Sequence, residues 1–214
     1  MSKNKVIVIG ATGLVGCQLV KQLIIDSTIS EVHCLVRQNI KSDNKKVIYH
    51  KVDFGKLRKY DYLFKDISAV LCCIGTTIKK AKNKENFKFV DLIIPKNIAQ
   101  TAKFEGVKTF SIVSSIGANK NGSSFYLKVK GEIEDILQSI GFERLIIYRP
   151  SLLLGDRKEF RLSEAIMTPF FKIFNFLLPK KLQATESLVL AKMMQQDLNS
   201  LTNDIHIIEA DKIK

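Results

Sequence analysis

The stretch Lys5-Val-Ile-Val-Ile-Gly10-Ala-Thr-Gly13-Leu-Val-Gly16 constrains this chain more than any other. Four β-branched residues in a row, Val6 to Ile9, predict a buried strand, and an apolar pattern after the glycines predicts a helix to about Ile25. An ordinary strand-to-helix turn needs one glycine. Three at Gly-x-x-Gly-x-x-Gly spacing let the backbone approach a pyrophosphate closely, with amide N–H groups and the positive helix end aimed at it.

Strand and helix patterns then alternate with no linker or repeat. Glu31 to Val36, Lys46 to Tyr49, Ala69 to Ile74, Thr109 to Val113, Arg144 to Tyr148 and Ile205 to Ile208 read as strands. Phe87 to Lys103 (restarted at Pro95), Phe125 to Ser139 and Glu186 to Leu198 read as helices, and Gly75 to about Lys84 as a polar, lysine-rich loop. Such alternation predicts an α/β, doubly wound parallel sheet covered on both faces, with ligands beyond the carboxyl ends of the strands. At 214 residues the expectation is a single domain, with residues 151–214 forming a small substrate-side lobe. Within that lobe Leu162 to Leu178, rich in phenylalanine (Phe170, Phe171, Phe174, Phe176), is expected to pack on the sheet and line a pocket. The stretch has too thin a polar face for stable membrane attachment.

Composition excludes several classes. The net charge of +13 is spread along the chain; its densest cluster, Lys79, Lys80, Lys82 and Lys84, has no recognition helix or aromatic platform beside it, so no nucleic-acid partner is expected. No apolar stretch reaches the roughly 18 residues of a membrane span, and no signal peptide is expected from the opening residues. Cys17, Cys34, Cys72 and Cys73 fall in apolar segments without a C-x-x-C, which reads as small core residues of a reduced, cytoplasmic protein. His33, His50 and His206 are scattered singly, so no metal site is expected.

Chemistry is expected at the strand ends. Arg37 follows the second strand, where an acid would hold a ribose 2′-hydroxyl and an arginine neutralises a 2′-phosphate; Arg37 therefore favours NADP(H) over NAD. Asp53, in Val52-Asp53-Phe54, is placed either to accept a hydrogen bond from an adenine amino group or to cap a helix. The fifth strand ends in Ser114-Ser115, and Tyr126-x-x-x-Lys130 follows on the next helix, putting phenol and ammonium one turn apart on one side. A neighbouring ammonium favours the phenolate. A serine hydroxyl can then hold a substrate carbonyl while the tyrosine passes it a proton.

These blocks, together with Cys72-Cys-Ile-Gly-Thr-Thr77, Tyr126-Leu-Lys-Val-Lys-Gly-Glu132 and Arg149-Pro-Ser-Leu-Leu-Leu-Gly-Asp-Arg157, resemble the atypical short-chain dehydrogenase/reductases, close to the Tat-interacting oxidoreductase group, over nearly the whole chain. The resemblance implies that Gly10, Ala11, Thr12, Gly13, Leu14, Val15 and Gly16 wrap the pyrophosphate, with Thr12 and Gly13 closest. It implies Asp53 and Phe54 near the adenine, Ile74, Gly75 and Thr76 at the nicotinamide ribose, and Pro150 and Leu152 at the nicotinamide ring. Lys130 would bind the ribose hydroxyls and Tyr126 would donate the proton. The sequence leaves the catalytic serine open between Ser114 and Ser115; Ser115 is favoured, since Ser114 would then point the opposite way at the strand end. The expected function is an NADPH-binding oxidoreductase that reduces a small carbonyl substrate, with no oligomeric partner indicated. The main alternative is a non-catalytic NADP(H) sensor; a sugar-nucleotide epimerase, which uses the same three residues with NAD kept bound, needs a larger substrate lobe.

Overall fold

The computed structural model describes residues 4–155, 183–200 and 202–213. Its strands are β1 (Asn4–Ile9), β2 (Ile29–Val36), β3 (Val47–Lys51), β4 (Ala69–Cys72), β5 (Thr109–Val113), β6 (Arg144–Arg149), β7 (Leu153–Leu154), β8 (Thr185–Glu186) and β9 (Ile205–Glu209). Seven of them form one sheet in the order β3-β2-β1-β4-β5-β6-β9, parallel throughout, and β7 pairs with β8 alone. The run Val6 to Ile9 shows no polar alternation because both faces of the sheet are covered.

On one face α1 (Leu14–Ile25) packs against the last α-helix among the described residues. Val15, Leu19 and Leu23 of α1 share a core there with Val6, Val8, Leu71, Leu190 and Met194. The other face carries a 3-10 helix (Phe54–Phe64), α2 (Ile78–Ala81), α3 (Lys84–Lys88), α4 (Ile94–Phe104) and α5 (Phe125–Ile140). Phe64, Phe87, Ile98, Ile133 and Leu137 from these elements close over Ile7, Ile9, Val70 and Ile112. The helix that α1 packs against, the last α-helix among the described residues, is α6 (Ser187–Ser200); a 3-10 turn (Ala210–Lys212) follows it. Strand order reverses between β1 and β4, which opens a crevice at their carboxyl ends.

Some sequence expectations need correction. The segment read as a lysine-rich loop contains α2, started by Thr77, whose hydroxyl accepts the Lys80 N–H. The helix expected from Phe87 begins at Lys84, where Asn83 caps it, and passes through a π-helical turn (Phe89–Ile93) before α4, with Pro95 in the first turn of α4. Cys17 is exposed: the buried stripe of α1 runs through Gly16, Leu19, Val20 and Leu23, and residue 17 points away from it. His33 and His50 are not isolated. The β2–β3 register brings Nδ1 of His33 to 2.9 Å from Nε2 of His50, with Glu31 on the other His33 nitrogen. Among the described residues no group of three or more ligand-type side chains is placed to hold a metal ion, and no helix is long and apolar enough to cross a membrane. The phenylalanine-rich stretch read at 162–178 lies outside the described residues.

Candidate functional site

The glycine turn lies at the carboxyl end of β1 and uses its glycines in two ways. Gly10 has φ +78°, and a Cβ there would stand 2.7 Å from the Cys73 carbonyl oxygen; a Cβ on Gly16 would stand 2.2 Å from the Gly10 carbonyl oxygen. These two close the turn on itself and on the end of β4. Gly13 is different. Its φ of −81° and ψ of 176° suit any residue, and a Cβ would meet only the Gly10 carbonyl oxygen, at 3.1 Å. Gly13 occupies the cap position of α1 without a side-chain hydrogen bond, so the amides of the first helical turn present the positive helix end to whatever sits in front of them. A backbone cradle with space before Gly13 fits the diphosphate of a dinucleotide. Ala11 and Val15 are buried beneath it and Thr12 is exposed above it.

Arg37 stands exposed directly after β2, one strand over from the turn. Asp53 caps the 3-10 helix, its Oδ1 accepting the Gly55 N–H at 2.9 Å, while Phe54 behind it is buried. The capping role foreseen for Asp53 is therefore present in the structure.

Lys130, on α5, is buried, and its Nζ lies 2.8 Å from Oδ1 of Asp91, whose side chain is wholly shielded from solvent. The other Asp91 oxygen accepts the Thr76 N–H at 2.8 Å. A Cβ on Gly75 would stand 3.9 Å from Lys130 Nζ, which puts the ammonium against the loop that leaves β4 and touches Gly10 through Cys73 and Ile74. Burial alone would lower the Lys130 pKa, but the charge of Asp91, helped by Tyr126, more than offsets it and the lysine is held above its ordinary value. Tyr126 sits one turn earlier on α5, half-buried, its ring edge-on to Phe87 at a centroid distance of 5.8 Å.

The two serines part company. Ser114 is buried and donates its hydroxyl to Oε1 of Glu134; Ser115 is half-buried, and among the described residues its hydroxyl reaches only the Ile116 carbonyl, at 3.3 Å. Glu134 also accepts from Nε and Nη2 of Arg149, which bonds Glu209 through Nη1. The hydrogen bonds to Glu134, set against partial burial, raise the Arg149 pKa further above its usual value. Arg149 ends β6 and leads into Pro150, which is buried and whose carbonyl accepts the Ile116 N–H at 2.9 Å; Leu152 is half-buried and its carbonyl accepts the Thr185 N–H. Segments 114–116 and 149–152 are thus joined beside α5.

Three residues of this arrangement were missed in the sequence. Asp91 is an acid inside the apolar run Phe89 to Ile94, an anomaly that signals a buried partner. Glu134 shares a face with Lys130 four residues earlier. Gly131 lets the loop after β5 lie directly on α5: a Cβ there would be 2.2 Å from the Lys120 backbone nitrogen. A cavity of about 490 Å³ at the opposite, amino-terminal edge of the strands, lined by Lys5, Ser68, Lys108 and Arg144 among others, contains none of these site residues.

Residues 10–168 match a family model described as NAD(P)H-binding. The chain is 36% identical over 174 residues to Protein HTATIP2 of Rattus norvegicus, a match spanning 80% of this chain and 72% of that protein. It is also 36% identical over 156 residues to Protein FMP52, mitochondrial, of Candida albicans, spanning 71% and 68%. Among solved structures, the Bordetella bronchiseptica enzyme WbmH in complex with NAD+ superposes with a TM-score of 0.75, covering 98% of this chain and 76% of that one at 14% identity. The UDP-N-acetylglucosamine 4-epimerase from Methanobrevibacter ruminantium M1 superposes with a TM-score of 0.74, covering 98% and 77% at 17% identity. At such identities the likeness is one of fold.

Proposed function

The chain belongs to the NAD(P)H-binding family, and from that premise we propose that it is an NADPH-dependent oxidoreductase that reduces a small carbonyl compound. The observation that carries this reading is the continuity of one surface. The glycine turn meets Cys73 and Ile74, the next residue Gly75 borders the ammonium of Lys130, and Tyr126 stands one helical turn from that lysine.

In this reading Gly10 to Gly16 hold the diphosphate by backbone N–H groups, and Arg37 pairs with the 2′-phosphate that distinguishes NADPH from NADH. Asp53, with its second carboxylate oxygen, and Phe54 border the adenine. Lys130 donates to the ribose hydroxyls beside Ile74, Gly75 and Thr76, while Pro150 and Leu152 flank the nicotinamide. NADPH, when bound, supplies the hydride. The protein's own part is to hold and protonate the substrate: Ser115 donates a hydrogen bond to the carbonyl oxygen and the Tyr126 phenol gives the proton that oxygen needs. The Lys130 ammonium favours the phenolate left behind.

Protein purified without added nucleotide, denatured, and its released small molecules identified by mass tests the reading. NADP(H) is the expected result. Tightly held NAD would move the reading to an epimerase-type reaction, and NADP(H) with no turnover on a broad panel of aldehydes and ketones would favour a cofactor sensor.

A further inference from the structure

Asp91 has no part in the chemistry above, yet it is the most completely buried charge near it. We propose that Asp91 is a positioning residue for the cofactor: it holds Lys130 against the loop after β4 and, through the Thr76 N–H, pins that loop to the same point. The inference rests on the reading of Lys130 as the ribose-binding group.

Three observations carry it. First, both members of the pair are shut off from water, with side-chain exposures of 6% for Lys130 and 0% for Asp91. A pair needed only for packing is replaced without loss by apolar residues of similar volume, since desolvation cancels most of its attraction. Second, Asp91 sits within a π-helical turn (Phe89–Ile93), a local departure from α geometry that changes which way its side chain faces and that recurs at functional sites. Third, the residue over the pair is Gly75, which is exposed. Among the described residues, the only side-chain neighbours within 4 Å of a Cβ placed there are Asp91 Oδ1 at 3.5 Å and Lys130 Nζ at 3.9 Å. An ammonium has three donors, Asp91 takes one, and the missing side chain at position 75 leaves an approach to the others.

The ionisable groups that face Lys130 are Asp91 from the π turn, Tyr126 from α5 and Cys72 from β4. Without the Asp91 carboxylate, burial acts on the lysine largely unopposed and the proton is released at lower pH. A ribose-binding cation is then lost as pH rises, whereas a merely structural defect weakens binding alike at every pH.

The experiment is NADPH affinity by fluorescence titration between about pH 6.5 and 9.5, with thermal unfolding recorded in parallel, for wild type, Asp91→Asn and Asp91→Glu. Wild type is expected to give a nearly flat profile. Asp91→Asn is expected to lose at least about twofold from the acid to the alkaline end, the loss that one unit of displacement below the ordinary lysine value produces at about pH 9.5, and Asp91→Glu, which keeps the carboxylate, to restore the flat profile. Equal loss at every pH, or no loss, for Asp91→Asn overturns the inference. A second arm serves if Asp91→Asn alone does not fold. In a Lys130→Met background, adding Asp91→Asn should leave affinity within about twofold, because the partner through which Asp91 acts is gone; a larger further loss overturns the inference. Wild type that binds no NADPH at any pH overturns the reading of the site itself, and the inference with it.

Discussion

Ser114 donates its hydroxyl to Oε1 of Glu134 at 2.5 Å, and that bond separates the roles of two consecutive serines. Successive side chains at a strand end point to opposite sides, so anchoring Ser114 inward turns Ser115 outward. Ser114→Ala is expected to cost about 1.5–3 kcal/mol of stability in urea unfolding, the usual loss for one hydrogen bond to a charged group. Glu134→Ala is expected to cost more than Ser114→Ala, because it removes the carboxylate shared by Ser114 and Arg149 and leaves Arg149 with Glu209 alone. Ser115→Ala should stay within about 0.5 kcal/mol of wild type while abolishing turnover. The reverse pattern would exchange the two serines.

Gly13 and Gly16 should respond differently to substitution. At Gly16 a methyl would be driven into the Gly10 carbonyl oxygen, 2.2 Å away, so Gly16→Ala is expected to cost about 1–3 kcal/mol. Gly13 has an extended backbone at a helix cap, a position aspartate prefers. Gly13→Asp should therefore fold with at most a small loss of melting temperature, as the Gly10 carbonyl gives way to the new Cβ, and lose NADPH binding, since a carboxylate would face the diphosphate. Calorimetry with NADPH titration on both variants checks the contrast; undiminished affinity in Gly13→Asp would remove the turn from the site.

Arg37→Ala should weaken NADPH by roughly ten- to more than a hundredfold, the worth of a charge-assisted contact of ~1.5–3 kcal/mol, and leave NADH nearly unchanged. The exposed position of Arg37 past β2 predicts no accompanying loss of stability. Equal losses for the two cofactors would make Arg37 a surface charge only.

Tyr126→Phe is expected to retain NADPH affinity within a few-fold and to lower the rate of carbonyl reduction by about 10²–10⁴, the usual penalty for a missing general acid. The Phe87 contact, being ring to ring, survives the change. Lys130→Ala should lose both rate and cofactor affinity, and should also destabilise the fold by leaving the Asp91 carboxylate buried without its partner. NADPH oxidation followed by absorbance separates the two, and full activity in Tyr126→Phe would sink the catalytic assignment.

Local signals carried most of this architecture. The β-branched run at Val6, the glycine spacing and the alternation of strand and helix suffice for a parallel sheet, because a strand covered on both faces has to be continuously apolar. What stayed hidden depends on pairing between distant segments. Neither His33 nor His50 reveals in sequence that the β2–β3 register sets their rings side by side. The pair β7 and β8 is two residues long on each strand, too short for any periodicity. Asp91 stands out as an acid in an apolar run, but nothing local shows that the turn around Phe89 brings it to Lys130, thirty-nine positions along the chain. Ser114 and Ser115 differ only through Glu134, twenty positions along the chain from Ser114.

Glu209 sits on β9, an edge strand, and bonds Arg149 at 2.9 Å. During synthesis the chain leaves the ribosome amino end first and folds as it emerges. The glycine turn, Tyr126 and Lys130 are all available long before β9 can join the sheet. Until then Arg149 serves one carboxylate instead of two, and the brace behind Ser114 is short of a partner. The serine side of the crevice thus depends on a strand that joins the sheet after the glycine turn, Tyr126 and Lys130 have all been made.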